Sequence, residues 1–98
     1  MLKHIVTIKF SPDMPDGHLE AFREKMHALI PVIPAIGTLE FGIDELADPR
    51  SWHVALVMTF ANVDDLRMYQ QHPAHVEVVD FNKPYLLEIV SVDYTLPE

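Results

Sequence analysis

The chain has no cysteine, only three glycines and seven basic residues in 98 positions. Without cysteine there is no disulfide framework, no thiolate nucleophile and no cysteine-ligated metal, and a reducing compartment is the natural setting. No Gly-rich phosphate loop and no Gly-x-Ser-x-Gly nucleophile elbow occurs. The longest stretch free of polar residues, Ala28 to Gly37, is interrupted by Pro31 and Pro34 and falls well short of the ~18 apolar residues of a spanning helix. The opening Met1-Leu2-Lys3-His4 carries no apolar signal core, so a soluble, cytoplasmic protein is expected. Fifteen acidic residues outnumber the seven basic ones, and the formal charge is 7 − 15 = −8. The deficit is even: residues 1–49 carry 4 − 8 = −4 and residues 50–98 carry 3 − 7 = −4. A negative field repels phosphate backbones and anionic lipid, so neither nucleic acid nor a membrane surface is an expected partner.

What is present is ordinary globular composition, 49% apolar and 22% charged, on a chain long enough for one core and one domain over 1–98. Residues 3–10 alternate, with His4, Val6, Ile8 and Phe10 on one face and Lys3, Ile5, Thr7 and Lys9 on the other, which reads as a strand. Ser11-Pro12-Asp13 breaks it. Pro15-Asp16 then opens a helix whose stripe, Leu19, Phe22, Met26, Leu29 and Ile30, runs to about Ile30. Residues 36–43 form a second strand, with Gly37 and Gly42 as candidate bulges. Trp52 to Phe60 is a third, apolar on both faces. Asn62 caps a helix over Val63 to Gln71, which stops before Pro73; Pro73 begins another helical stretch to about Phe81, and Leu87 to Tyr94 is the last strand.

Strand, helix, strand, strand, helix, strand is the α+β, ferredoxin-like split βαβ order. Helices cover one face of such a sheet. The other face is also substantially apolar, and a two-fold dimer closing sheet on sheet is the economical cover.

Lys3-His4-Ile5-Val6 with Lys9-Phe10, Pro34-Ala35-Ile36 ahead of a strand, and above all Tyr69-Gln70-Gln71-His72-Pro73-Ala74-His75 resemble the Dabb family of stress-responsive dimeric α+β barrel domains over nearly the whole chain. The resemblance implies a homodimer of ferredoxin-like protomers whose sheets form a barrel. It also implies diverse functions, since the family includes stress-associated members and cofactor-free polyketide cyclases. In the cyclases a first-strand histidine and the Tyr-x-x-His-Pro-x-His segment line a pocket between sheet and helices. His4, Tyr69 and His75 are the matching positions here, and no cofactor is implied.

The chemistry of these residues has two readings each. His4 on an apolar face is either a core histidine bonded to a carbonyl or a working group. His75, in the first turn of a helix, sits where the positive dipole end disfavours an imidazolium and keeps a neutral base available near pH 7; alternatively it only covers the helix end. Tyr69 shares a stripe with Val63 and Leu66, and its hydroxyl is able to donate to a developing enolate oxygen. His72 reads as a helix terminator or dimer contact. With His75 it forms an i, i+3 pair, but the helix break between them and the lack of a carboxylate at ligand spacing argue against a metal site. His18 and His27 fall on the flanks of the first helix and are expected to be solvated. The candidate lining is Val6 and Ile8 of the first strand, Phe22 and Met26 of the first helix, Trp52 and Val54 of the third strand, and His72 and Phe81 around the last helix.

Three functions follow: a cyclase- or lyase-like enzyme for an apolar carbonyl compound, a non-catalytic dimer that binds a hydrophobic ligand or protein, and, by fold analogy alone, a quinol or haem monooxygenase. A cavity of about 300 Å³ or more lined by the three polar residues would favour the first.

Overall fold

β1 (Leu2–Phe10) is the strand around which the others assemble, in the computed structural model that describes residues 1–97. Its alternating residues Leu2, His4, Val6, Ile8 and Phe10 are buried, and those between are more exposed. α1 (His18–His27), β2 (Thr38–Ile43), β3 (Val54–Phe60), α2 (Val63–Gln71) and α3 (Pro73–Asn82) follow. A single 3-10 turn, Lys83–Tyr85, then leads into β4 (Leu86–Thr95). The sheet is antiparallel in the order β2-β3-β1-β4. This is the ferredoxin-like α+β fold, its second helical position divided in two by Pro73. No helix among the described residues is long and apolar enough to cross a membrane.

The core lies between one sheet face and the helices. Val54, Leu56, Met58 and Phe60 of β3 join the β1 row, and Phe22 and Met26 of α1 close over it with Leu66 and Tyr69 of α2 and Val78 of α3. Phe10, Phe60, Met26 and Met58 are among its fully buried side chains, each stabilising the fold by about 2–3 kcal/mol through lost apolar exposure. On the opposite face Ile5 stands level with Val57 on one side and Val92 on the other. Val90 and Val92 are more than half exposed there, at 54% and 62%.

Local chemistry sets the helix limits. The Asn62 side chain accepts the Asp65 N–H at 2.9 Å and caps α2. His72 ends α2 in an extended conformation, as a residue before proline must, and its Nδ1 accepts the Ala74 N–H at 3.1 Å to cap α3.

Several expectations are corrected. The third strand begins at Val54 rather than Trp52, because at His53 the pairing with β1 slips: its N–H donates to the carbonyl of Ile8, the residue already level with Val54, and its Nδ1 accepts the Phe10 N–H. α1 ends at His27, and Leu29, Ile33 and Ile36 enter the core from turns, leaving Ile30 exposed. His18 is buried rather than solvated. Gly42 is not a bulge, since β2 pairs with β3 residue for residue from Thr38 to Ile43, and Gly37 lies just before the strand, its N–H donating to the Thr59 carbonyl. The irregularity is at Lys9/Phe10 of β1.

Gly37 is needed for close approach. A Cβ there would lie 2.8 Å from both the Thr59 carbonyl oxygen and Oγ1, whereas at Gly42 the nearest atom is at 3.8 Å. Gly37→Ala is therefore expected to lower unfolding free energy by about 1–3 kcal/mol, and Gly42→Ala to change it by less than about 1 kcal/mol. Paired urea denaturation curves check the contrast; equal midpoints would contradict it.

Candidate active site

A partly open cavity of about 260 Å³ lies between the sheet and α3, and its wall includes His4, Tyr69 and His75. The volume is just below the lower end of about 300–1,000 Å³ for ligand pockets, which suits a small or slender molecule. Most of the wall is carbon, from Val6, Ile8, Phe22, Met26 and Leu56.

Each polar group arrives by a different structural device. The pleat of β1 turns His4 inward, and the β1–β4 register sets Asp93 directly opposite it. The His4 Nδ1–H donates to the Asp93 carboxylate, which fixes the tautomer and leaves Nε2 for the cavity. Tyr69 closes α2 with only 2% of its surface exposed. Burial pushes its phenol above the ordinary value of 10.0, so it remains a protonated donor throughout the working pH range.

His75 is positioned by the break at Pro73. In an unbroken helix the Gln70 carbonyl would accept from residue 74. Here the Ala74 N–H is taken by His72, and the orphaned Gln70 carbonyl accepts from His75 Nδ1 at 3.1 Å. The Nε2 lone pair is thereby left free. Burial lowers the His75 pKa from 6.5; the Gln70 contact opposes the shift, and the positive charges His4 and His72 can carry reinforce it. The expectation that His75 stays neutral thus has burial as its leading cause rather than the helix dipole. The rings form a continuous series: His4 to Phe60 at 6.2 Å, Phe60 to Tyr69 at 5.2 Å, and Tyr69 to His75 at 4.2 Å between centroids.

Seven of the eleven candidate residues line this cavity: His4, Val6, Ile8, Phe22, Met26, Tyr69 and His75. Four do not. Trp52 precedes β3 and no longer follows its pleat. Val54 points into the core, and Leu56, one pleat repeat along, takes the wall position. His72 turns back to cap α3. Phe81 faces α1, where it stacks on His18 at 4.3 Å.

Two polar residues escaped the sequence reading. Asp93 had no local signal, because only pairing across 89 positions brings it to His4. Asn82 had one: His75, Val78, Val79 and Asn82 follow i, i+3, i+4, i+7 spacing, and all four line the cavity.

Comparison with known proteins agrees with this architecture. The chain is 28% identical over 97 residues to olivetolic acid cyclase of Cannabis sativa, covering 96% of this chain and 95% of that protein. A dimeric protein of unknown function and ferredoxin-like fold from Bacteroides fragilis NCTC 9343 superposes with a TM-score of 0.86 at 31% identity, over 97% of this chain and 95% of the other. A hydroxynitrile lyase of Passiflora edulis shares the fold at a TM-score of 0.82 and 20% identity, over 99% and 94% of the two chains. Residues 2–96 match the family model of the stress-responsive A/B barrel domain, Dabb, and the chain belongs to that family.

Proposed function

We propose that this protein is a cofactor-independent acid–base catalyst for a small apolar carbonyl compound, of the cyclase or lyase kind. The observation that carries the reading is the convergence of His4, Tyr69 and His75 on one carbon-lined cavity. His75 Nε2 removes a proton from the carbon next to the carbonyl, and the electron pair moves onto the carbonyl oxygen. The Tyr69 O–H donates to that oxygen as charge develops. His4, its ring held by Asp93, presents its Nε2 lone pair to the same cavity and positions the substrate by accepting from an enol or hydroxyl hydrogen. The resulting enolate either attacks a second carbonyl of the same molecule, as in a cyclase, or expels a leaving group, as in a lyase. The cyclase of Cannabis sativa supports this class of chemistry over that of a purely structural barrel.

The active form in this reading is a homodimer. The row Ile5, Val57 and Val92 on the uncovered sheet face is the contact surface, and the dimeric Bacteroides fragilis relative supports it.

Deuterium incorporation next to the carbonyl of a medium-chain methyl ketone, followed by proton NMR in D₂O, measures the proposed step directly. His75→Gln is expected to slow it by about 10²- to 10⁴-fold with the thermal midpoint little changed; a wild-type rate in that variant retires the base. Because the active form is neutral and its pKa is lowered from 6.5, the rate should rise with pH, reach half-maximum below 6.5 and stay level above it. A half-maximum above 6.5 would contradict the assignment. Val92→Asp is expected to shift the sedimentation profile from two chains to one; an unaltered profile would place the contact elsewhere.

A further inference from the structure

We propose that Asn82 is a second recognition point for the substrate, and that the cavity takes a slender, largely apolar ketone carrying another hydrogen-bond-accepting oxygen at its far end. The inference rests on the reading of His75 as the end where chemistry occurs, and it names the substrate class for that site.

Asn82 is the last residue of α3 and is 7% exposed. Its Oδ1 accepts from His18 Nε2–H at 2.9 Å. A side-chain amide has two further donors on Nδ2. No fully buried side-chain nitrogen or oxygen among the described residues lacks a partner, so Nδ2, which has no protein partner, is not sealed off, and the space that Asn82 lines is the cavity. The amide is held in this orientation by a partner that is itself immobilised. His18 lies flat on Phe81, within 6° of parallel, and meets the edges of Tyr85 at 5.2 Å and Phe10 at 5.5 Å. Burying an imidazole and an amide together costs desolvation that two aliphatic side chains would avoid. A donor presented to a carbon-lined cavity gives that cost a function.

Spacing supplies the length of the ligand. Asn82 and His75 are seven residues apart on one face of α3, about 10 Å along its axis. Val78 and Val79 lie between them on the wall. The surface read along the helix is base, hydrocarbon, then amide donor, on the wall of a cavity of about 260 Å³.

The test is calorimetric titration of the full chain with linear α,ω-diketones, methyl monoketones and ω-hydroxy ketones matched in carbon number. Wild type should bind the best-fitting diketone about tenfold tighter than its monoketone, and the Asn82 side-chain amide resonances should move with the diketone only. Asn82→Asp keeps the acceptor for His18 but replaces the cavity-facing donors with an oxygen. It should lose the diketone preference and favour the ω-hydroxy ketone. Asn82→Leu should bind diketone and monoketone alike; if it fails to fold, Asn82→Asp decides. Equal binding of diketone and monoketone by wild type, or an undiminished diketone preference in Asn82→Asp, overturns the proposal. His75→Gln should retain the preference, because binding does not require the base. A variant with full exchange activity but intact discrimination would remove the catalytic reading and leave the distal anchor standing.

Discussion

The register of β1 between β3 and β4 is the constraint on which the site depends. A central strand has both edges committed to neighbours, so its pleat cannot slip without turning its whole buried row to the other side. That row contains one polar residue, His4, level with Met58 on β3 and Asp93 on β4. The same hydrogen bonds that hold the sheet therefore bring a carboxylate to an imidazole that would otherwise be buried among hydrocarbon. The polar pair is a consequence of strand pairing, and the cavity floor is as rigid as the sheet.

The opposite wall depends on an interruption. Pro73 cannot continue α2, and the resulting gap rearranges three hydrogen bonds within a few residues. His72 caps the new helix, Ala74 gives up its bond to Gln70, and the Gln70 carbonyl is left to accept from His75. Tyr69 and His75 consequently face each other across the break with ring centroids 4.2 Å apart. One proline thus orients a base, selects its tautomer and sets a phenol beside it. Floor and wall meet around a space whose remaining surface is mostly aliphatic and aromatic, with Asn82 at the far end of α3. In such surroundings a neutral imidazole and a protonated phenol are the favoured forms, since burial penalises both of their charged forms.

The far end of α3 repeats this logic with different residues. His18 and Asn82 satisfy each other in an aromatic enclosure formed by Phe10, Phe81 and Tyr85. The cavity accordingly has polar groups at both ends of one helix face and carbon between them. The protein is acidic overall, with a formal charge of −8, yet among the described residues no carboxylate is part of the cavity wall, and Asp93 is engaged with His4.

Much of this was legible in the residues alone. Alternation along residues 3–10 determined that His4 faces inward with Val6, Ile8 and Phe10, because a two-residue pleat permits no other arrangement. Asn62 and Pro73 determined the limits of α2 and the start of α3, because capping and the missing proline N–H act within a single turn. The tertiary structure alone decided what those elements meet. Asp93 reaches His4 only through a register between strands at the two ends of the chain, and His18 is buried only because Phe81 and Asn82 come over it from a helix more than sixty residues away. Trp52 falls outside the wall because the pairing of β3 with β1 slips at His53, and Phe81 because its position on α3 turns it to His18. Local periodicity tells which face a side chain occupies; its neighbours depend on long-range pairing and helix rotation, which no short window of sequence contains.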